Sequence, residues 1–414
     1  MNTLFAKILE EPYRIFFPLG IFAGIWGVMM WPMLYGGWLK FYPGEAHTRL
    51  MIEGFMGAFV VGFLGTAFPR LAGNRSWFGG EFLAILVLWL LAVTSHAAGR
   101  VPAGDAAFGG MLAVLLLGMA GRWRFGNTDT PPPGFVLAMA GILGAAVSAW
   151  LLSRGGLGGM GYSFARLWLF QGFLLLPLMG IGPYLLPRFF GWPSTHSFDD
   201  SPTPPAGWWR RFSAAILAGL LVLSGFVLEV RGYSLLGQVL RAVVILVWFA
   251  METPILRRAK TPTTPGNSVR WAIGSMIAGL TAAAIWPAAR IGSLHLFFAS
   301  GLALATLSVA TRVILGHAGR HDLLGGKIVW LRWVSGLLIL AAATRMTADF
   351  IPKVLVSHHI YAAWSWALGA GLWLAFLGRF LWRSEEDAPK PSKCPRKQAA
   401  ASSEQPVDDL SRTE

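Results

Sequence analysis

The sequence predicts an all-α, polytopic integral membrane protein with about twelve transmembrane helices, and three observations carry that prediction. Of its 414 residues, 55% are hydrophobic and 13% charged, and the mean hydropathy is +0.56, far from the balance of a soluble domain. Apolar stretches of about 18 to 25 residues recur from Arg14 to Trp382, the length a helix needs to cross a bilayer. Short breaks of Pro, Gly, Arg and Asp separate them.

The spans fall at about 14–35, 47–68, 80–99, 106–122, 134–153, 164–188, 212–230, 235–255, 270–287, 291–316, 327–347 and 358–382. The first lacks a small-residue cleavage site and is too long for a signal-peptide core, so it reads as a retained helix. The second carries Gly54, Ala58 and Gly62 at four-residue spacing, a small-residue stripe suited to close helix packing. In the sixth, "PLMGIGPYLLPRFF" places Pro183 and Pro187 where they kink or end the helix and free carbonyls that need partners. The longest internal loop, about 190–211, divides six helices (1–189) from six more (212–383), a layout shared by transporters built from repeated halves. The tail, 384–414, is rich in Pro, Lys, Ser and Glu and has too little apolar content to fold. It holds the only cysteine, Cys394, so neither an internal disulfide nor a c-type haem attachment is available and any metal must use other ligands.

A net charge of +14 is compatible with nucleic-acid binding, but the basic residues sit in loops and tail, where they act as topology signals. Alternate loops carry Arg70 and Arg75, Arg122 and Arg124, Arg188 with Arg210 and Arg211, Arg257 with Arg258 and Lys260, then Arg320 and Lys327. The intervening loops are poorer. Both termini are therefore expected in the cytoplasm, the lipid bilayer is the expected partner, and nucleic acid is not.

That topology sorts the histidines. His47 starts the second span, His96 ends the third, His295 starts the tenth, and His358 with His359 starts the twelfth, all at the outer, periplasmic side. His196, His317 and His321 fall at the cytoplasmic side. A single interfacial histidine means little, but convergence of four helices on one leaflet is different, because imidazole is a preferred ligand for haem iron and copper.

Residues 295–320, "HLFFASGLALATLSVATRVILGHAGR", carry a histidine near each end. At about 1.5 Å per residue His295 and His317 lie roughly 33 Å apart and cannot share a metal. At about 100° per residue they share a stripe with Thr306, so one face of this helix is expected to look inward along its length. Arg312 lies on another face, near enough to the inner interface to snorkel or to pair with a carboxylate or a haem propionate. In the second span, "HTRLMIEGFMGAF", His47 and Met51 share a face at four-residue spacing and can present two ligands to copper. Arg49 and Glu53 share the next face and are expected to pair with each other. Arg166, Glu229, Arg241, Glu252 and Arg345 are further intramembrane charges that need partners.

At "GFLGTAFPRLAG" (62–73) and across 295–320 the chain resembles the NnrS family, bacterial twelve-helix membrane proteins linked to nitric oxide and described as containing haem and copper. His295, Thr311, Arg312, Gly316, His317, Gly319 and Arg320 fall where the family has the same residues, and "GPYLLPRFF" (182–190) is a weaker match to its Gly-Arg-x-x-x-Pro-x-Phe segment, with Pro183 replacing the arginine. The family's His-x-His-Glu-Met at the second helix reads His47, Thr48, Arg49, Leu50 and Met51 here, and an arginine that stays protonated cannot ligate a metal. The resemblance implies a haem-binding inner-membrane protein of the nitric oxide response or of nitrosative-stress protection, with b-type haem and copper as cofactors. His47 and His295 are the expected ligands, with His358, His359, His96 and Met51 behind them, and Arg312 and His317 as further cofactor contacts. The alternative is a metal-free secondary transporter, with its substrate site on the kinked sixth helix and the charges of the seventh and eighth.

Overall fold

The computed structural model describes residues 3–71, 76–126, 130–194, 196 and 203–383. Arg75, the centre of the 190–211 loop at 195 and 197–202, and the tail with Cys394 lie outside the described residues, as does the side chain of Arg124. Among the described residues there are helices and no strands, and twelve helices are long and apolar enough to cross a membrane. They are α1 (Tyr13–Tyr35), α2 (Gly44–Leu71), α3 (Gly79–Ala97), α4 (Val101–Trp123), α5 (Phe135–Arg154), α6 (Gly159–Phe190), α7 (Trp208–Val230), α8 (Ser234–Glu252), α9 (Thr264–Ile285), α10 (Pro287–His317), α11 (Val329–Phe350) and α12 (Pro352–Phe380). A short helix, Thr3–Glu10, precedes α1. We call the membrane face where the even-numbered helices begin the upper face.

Consecutive helices pack as neighbours, and α12 packs on α1, so the twelve close into a ring. Three are inner helices. The apolar cores of α2, α6 and α10 are 78%, 72% and 72% buried, against 28% to 56% for the other nine. Each inner helix also contains a π-helical stretch near its upper end: Leu50–Met56 in α2, Trp168–Gly172 in α6 and Leu296–Ala303 in α10. These features recur every four helices, a period that the 190–211 loop does not mark. Their hydrogen bonds run i→i+5, so each turn holds more residues than an α-turn and the face a side chain occupies shifts across it.

Ring closure is pinned by Arg14. Its buried guanidinium bonds Glu11 and donates to the carbonyl of Leu381 and, at 3.2 and 3.3 Å, to that of Arg383. The small-residue stripe of α2 packs as expected: a Cβ on Gly54 would meet that of Ala23 at 3.1 Å, and one on Gly62 would meet Phe17 at 2.8 Å, so α1 lies close along α2. The proline segment also behaves as expected. The α-helical part of α6 stops at Leu185 and continues as a 3₁₀ turn, Leu186–Phe190. The freed carbonyls find partners, Tyr184 accepting from Ser194 Oγ at 2.9 Å, Phe189 from Thr263 Oγ1 at 2.9 Å and Phe190 from the Lys260 amide at 2.9 Å.

A very close backbone approach joins α5 to α6. A Cβ on Gly180 would lie 2.4 Å from the Gly134 carbonyl oxygen and 3.0 Å from the Ala138 amide, neither of which can rotate away. Gly180→Ala should therefore destabilise the protein by about 1–3 kcal/mol, as overpacking does. Gly336→Ala, where nothing lies within 4 Å, is the matched control and should be neutral or better. Equal melting temperatures for the two variants in detergent would refute the close contact.

Candidate metal centre

The upper face gathers five histidines, as the topology requires, and the structure divides them. One group surrounds Trp31 of α1. The imidazoles of His47 (α2) and His359 (α12) stack edge-on to its indole, with centroids 5.9 and 4.9 Å away. His295 (α10) lies within electrostatic reach of both, and Arg345 of α11 lies within reach of all three. Arg345 is itself paired with Asp349, whose Oδ2 accepts the Gly292 amide of α10 at 2.6 Å.

Each imidazole of this group is oriented through Nδ1. His47 Nδ1 lies 2.9 Å from the Gly27 carbonyl and His295 Nδ1 2.8 Å from that of Ile291. A carbonyl only accepts, so both rings carry their proton on Nδ1 and leave Nε2 with its lone pair. Metal-binding histidines are commonly held this way, with the second nitrogen donating to a carbonyl. His359 Nδ1 meets the Tyr35 hydroxyl at 2.7 Å, and its Nε2 is buried with no hydrogen-bond partner. These three nitrogens are not drawn to within 4.8 Å of one another. The donor set fits a haem iron, which takes one or two imidazoles, better than a three-imidazole copper. Met51 Sδ packs towards Gly27, 3.4 Å from where a Cβ would stand. His358 turns away, with Nδ1 at 3.1 Å from the Val354 carbonyl and its ring against Tyr361.

His96 belongs to a second group. Its Nε2 lies 2.9 Å from Glu53 Oε2 and 4.0 Å from Asp105 Oδ1, and all three side chains are buried. Arg49 completes the cluster. It was expected to pair with Glu53, and it does not: its Nε reaches Asp105 Oδ1 at 2.8 Å, Nη2 reaches Oδ2 at 3.1 Å, and Nη1 pairs with Glu45. The reason is the π-helical stretch from Leu50, which turns Glu53 off the face that an α-helix would share with Arg49. Asp105 was not foreseen. The fourth span was expected to start at 106, whereas α4 starts at Val101 and carries Asp105 inside. A lone acid among the small residues of "VPAGDAAFGG" is the signal that marks it.

The same π-turn logic separates His295 from His317. With Leu296–Ala303 between them, a register counted at 100° per residue does not carry through α10. Thr306 lines an apolar cavity of about 110 Å³ between α2, α6 and α10, with Phe59, Phe63, Ile181 and Val309 among its walls and no histidine. His317 uses both nitrogens inside the protein: Nδ1 faces the Val313 carbonyl at 2.8 Å and Nε2 faces Arg70 Nη1 at 2.6 Å. Arg312 stacks over Phe189 at 5.1 Å, and no carboxylate pairs with it among the described residues. Arg320 pairs with Asp322 in the following loop.

Arg166, Glu229 and Arg241 are matched across helices. Arg241 (α8) pairs with Glu229 (α7) and donates to Gln171 Oε1 (α6) at 2.6 Å, while Glu229 also holds Arg290 at the start of α10. Arg166 reaches Glu45 at 2.5 Å. These clusters stand at the upper face in corresponding places of successive four-helix sets.

Arg49 and Asp105 should behave as a unit. Arg49→Met alone buries an uncompensated carboxylate, at a cost of about 3–5 kcal/mol, and the double variant with Asp105→Asn should recover much of it. Recovery is read as folded yield and melting temperature. If Glu53→Gln restores Arg49→Met and Asp105→Asn does not, the pairing described here is wrong.

No curated protein matches the chain. The family model described as NnrS protein matches residues 7–384, nearly its whole length. The chain therefore belongs to the NnrS family.

Proposed function

We propose that this protein is a haem-binding inner-membrane protein of the nitric oxide response or of nitrosative-stress protection, with copper as its second candidate metal. Its metal site stands on the upper face, which is the periplasmic one, and both termini are cytoplasmic. The observation that carries this reading is the set of imidazoles around Trp31, from α2, α10 and α12, each steered through Nδ1. His47 and His295 are the ligands, with His359 beside them and Met51 and His358 at the margin. Arg312 and His317 act at the opposite end of α10, where they hold the inner surface together. A haem iron with an open face supplies nitric oxide binding, whether the outcome is sensing, scavenging or reduction. The protein's part is to hold imidazole lone pairs in place beside Trp31 and within reach of the Arg345–Asp349 pair. The transporter reading draws less support, because Glu229 of α7 and Arg241 of α8 satisfy one another and Gln171.

His295→Ala should abolish or strongly shift the Soret band of the purified protein, while His317→Ala should leave it nearly intact and lower stability instead through loss of the Arg70 contact. Both variants must reach the membrane in comparable amounts. Loss of haem from His317→Ala with retention in His295→Ala would move the site to the other leaflet. Orientation has its own check: a cytoplasm-only fluorescent reporter after Glu414 should be bright and a periplasm-only reporter at Pro102 active. The reverse pattern would put the histidines on the cytoplasmic side.

A further inference from the structure

The second upper-face cluster has a charge problem that its own residues do not solve. Glu53, His96, Asp105 and Arg49 are all 2% exposed or less, close to the upper ends of α2, α3 and α4. One guanidinium stands against two carboxylates, so with a neutral imidazole and both carboxyls ionised the cluster carries one uncompensated negative charge. Such a charge inside a membrane is costly and reads as functional.

Two ligand atoms in the cluster are also unused. Glu53 Oε1 and His96 Nδ1 are buried and make no hydrogen bond. Buried polar atoms without partners are rare enough to require a reason. One donor atom from each of Glu53, His96 and Asp105 lies within 4.8 Å of the other two, the only such set of three among the described residues. The space is shaped for the ring: a Cβ on Gly104 would stand 2.2 Å from His96 Cε1, so glycine is what admits the imidazole there.

We propose that Glu53, His96 and Asp105 bind a divalent transition-metal ion of the zinc class. This site is distinct from the Trp31 histidines and does not depend on the haem reading. One imidazole and two carboxylates suit a borderline divalent cation, and the absence of thiolate or thioether from the set disfavours Cu(I). Zinc–ligand distances of about 2.0–2.2 Å require only small side-chain shifts from the present spacing. Arg49 does not block the ion. A carboxylate offers about four lone-pair sites, so Asp105 can hold the guanidinium and a metal together, and Arg49 then orients it as an outer partner. Glu45, on the far side of Arg49 and 48% exposed, meets the extra positive charge from the rim.

The test uses the full-length protein in detergent, stripped with a chelator and titrated with Co²⁺ as an optical stand-in for Zn²⁺. Wild type should take up one Co²⁺ per chain with visible d–d absorption, and Zn²⁺ should displace it. His96→Ala and Glu53→Gln should each weaken uptake at least about tenfold, the loss that even outer-partner changes cause. His295→Ala should leave uptake unchanged, which separates this site from the haem ligands. If His96→Ala does not accumulate, His96→Gln keeps a neutral hydrogen bond to Glu53 and takes its place. No uptake by wild type, or undiminished uptake by the His96 variant, would overturn the proposal and assign the missing positive charge to a proton.

Discussion

A charge inside a bilayer has to be matched by another group of the protein, and the way this chain meets that constraint sets the rotation of its helices. Arg49 of α2 is matched on α4, by Asp105. Arg241 of α8 is matched on α7 and α6, by Glu229 and Gln171. Asp349 of α11 holds both Arg345 and the backbone amide of Gly292 in α10. Arg14 closes the ring against carbonyls at the end of α12. Apolar packing alone would tolerate many rotations of helices this greasy, because lipid is as apolar as leucine. The ion pairs do not. Breaking one leaves a buried charge, so each selects a single registry for the helices it joins.

The inner helices carry the cost of those registries. All three depart from α-geometry close to their polar groups, and π-helical turns are frequent at functional sites because an extra residue per turn re-aims side chains without ending the helix. In α2 the stretch points Glu53 at His96 instead of Arg49. In α10 it lies between His295, within electrostatic reach of His47 and His359, and Thr306, which lines the central cavity. The function-bearing side chains are thus set by local irregularity on long, otherwise regular helices.

This explains what was legible in the sequence. Hydropathy and loop punctuation suffice for the twelve spans, the packing stripe Gly54–Ala58–Gly62 and the end of α6 at its prolines, since each depends on composition or on one residue's geometry. The gathering of His47, His96, His295, His358 and His359 at one face follows from topology alone. Partner choice within a leaflet does not. The Arg49–Glu53 expectation rested on an α-helical count across residues that are not α-helical, and Asp105 was hidden because hydropathy drew the boundary of α4 at the acid itself. A π-turn has no hydropathy signature, so helix faces counted across Leu50–Met56 or Leu296–Ala303 are unreliable for a physical reason.

The recurrence of four helices gives the altered α2 motif its meaning. Each set brings polar groups from its second, third and fourth helices to the same level: Arg49, Glu53, His96 and Asp105 in the first, Gln171, Glu229 and Arg241 in the second, His295, Arg345 and His359 in the third. One frame therefore holds an acid-rich cluster, an arginine-centred ion pair and a group of imidazoles. Chemistry at each station is decided by substitution, while the backbone that presents it is kept. In α2 the permanent charge of Arg49 draws Asp105 and Glu45 to itself. Glu53 is then left to His96. Asp105 is the residue that Arg49 and His96 share: it holds the Arg49 guanidinium and stands 4.0 Å from the His96 imidazole, so the charge on α2 fixes one of the two carboxylates beside the ring.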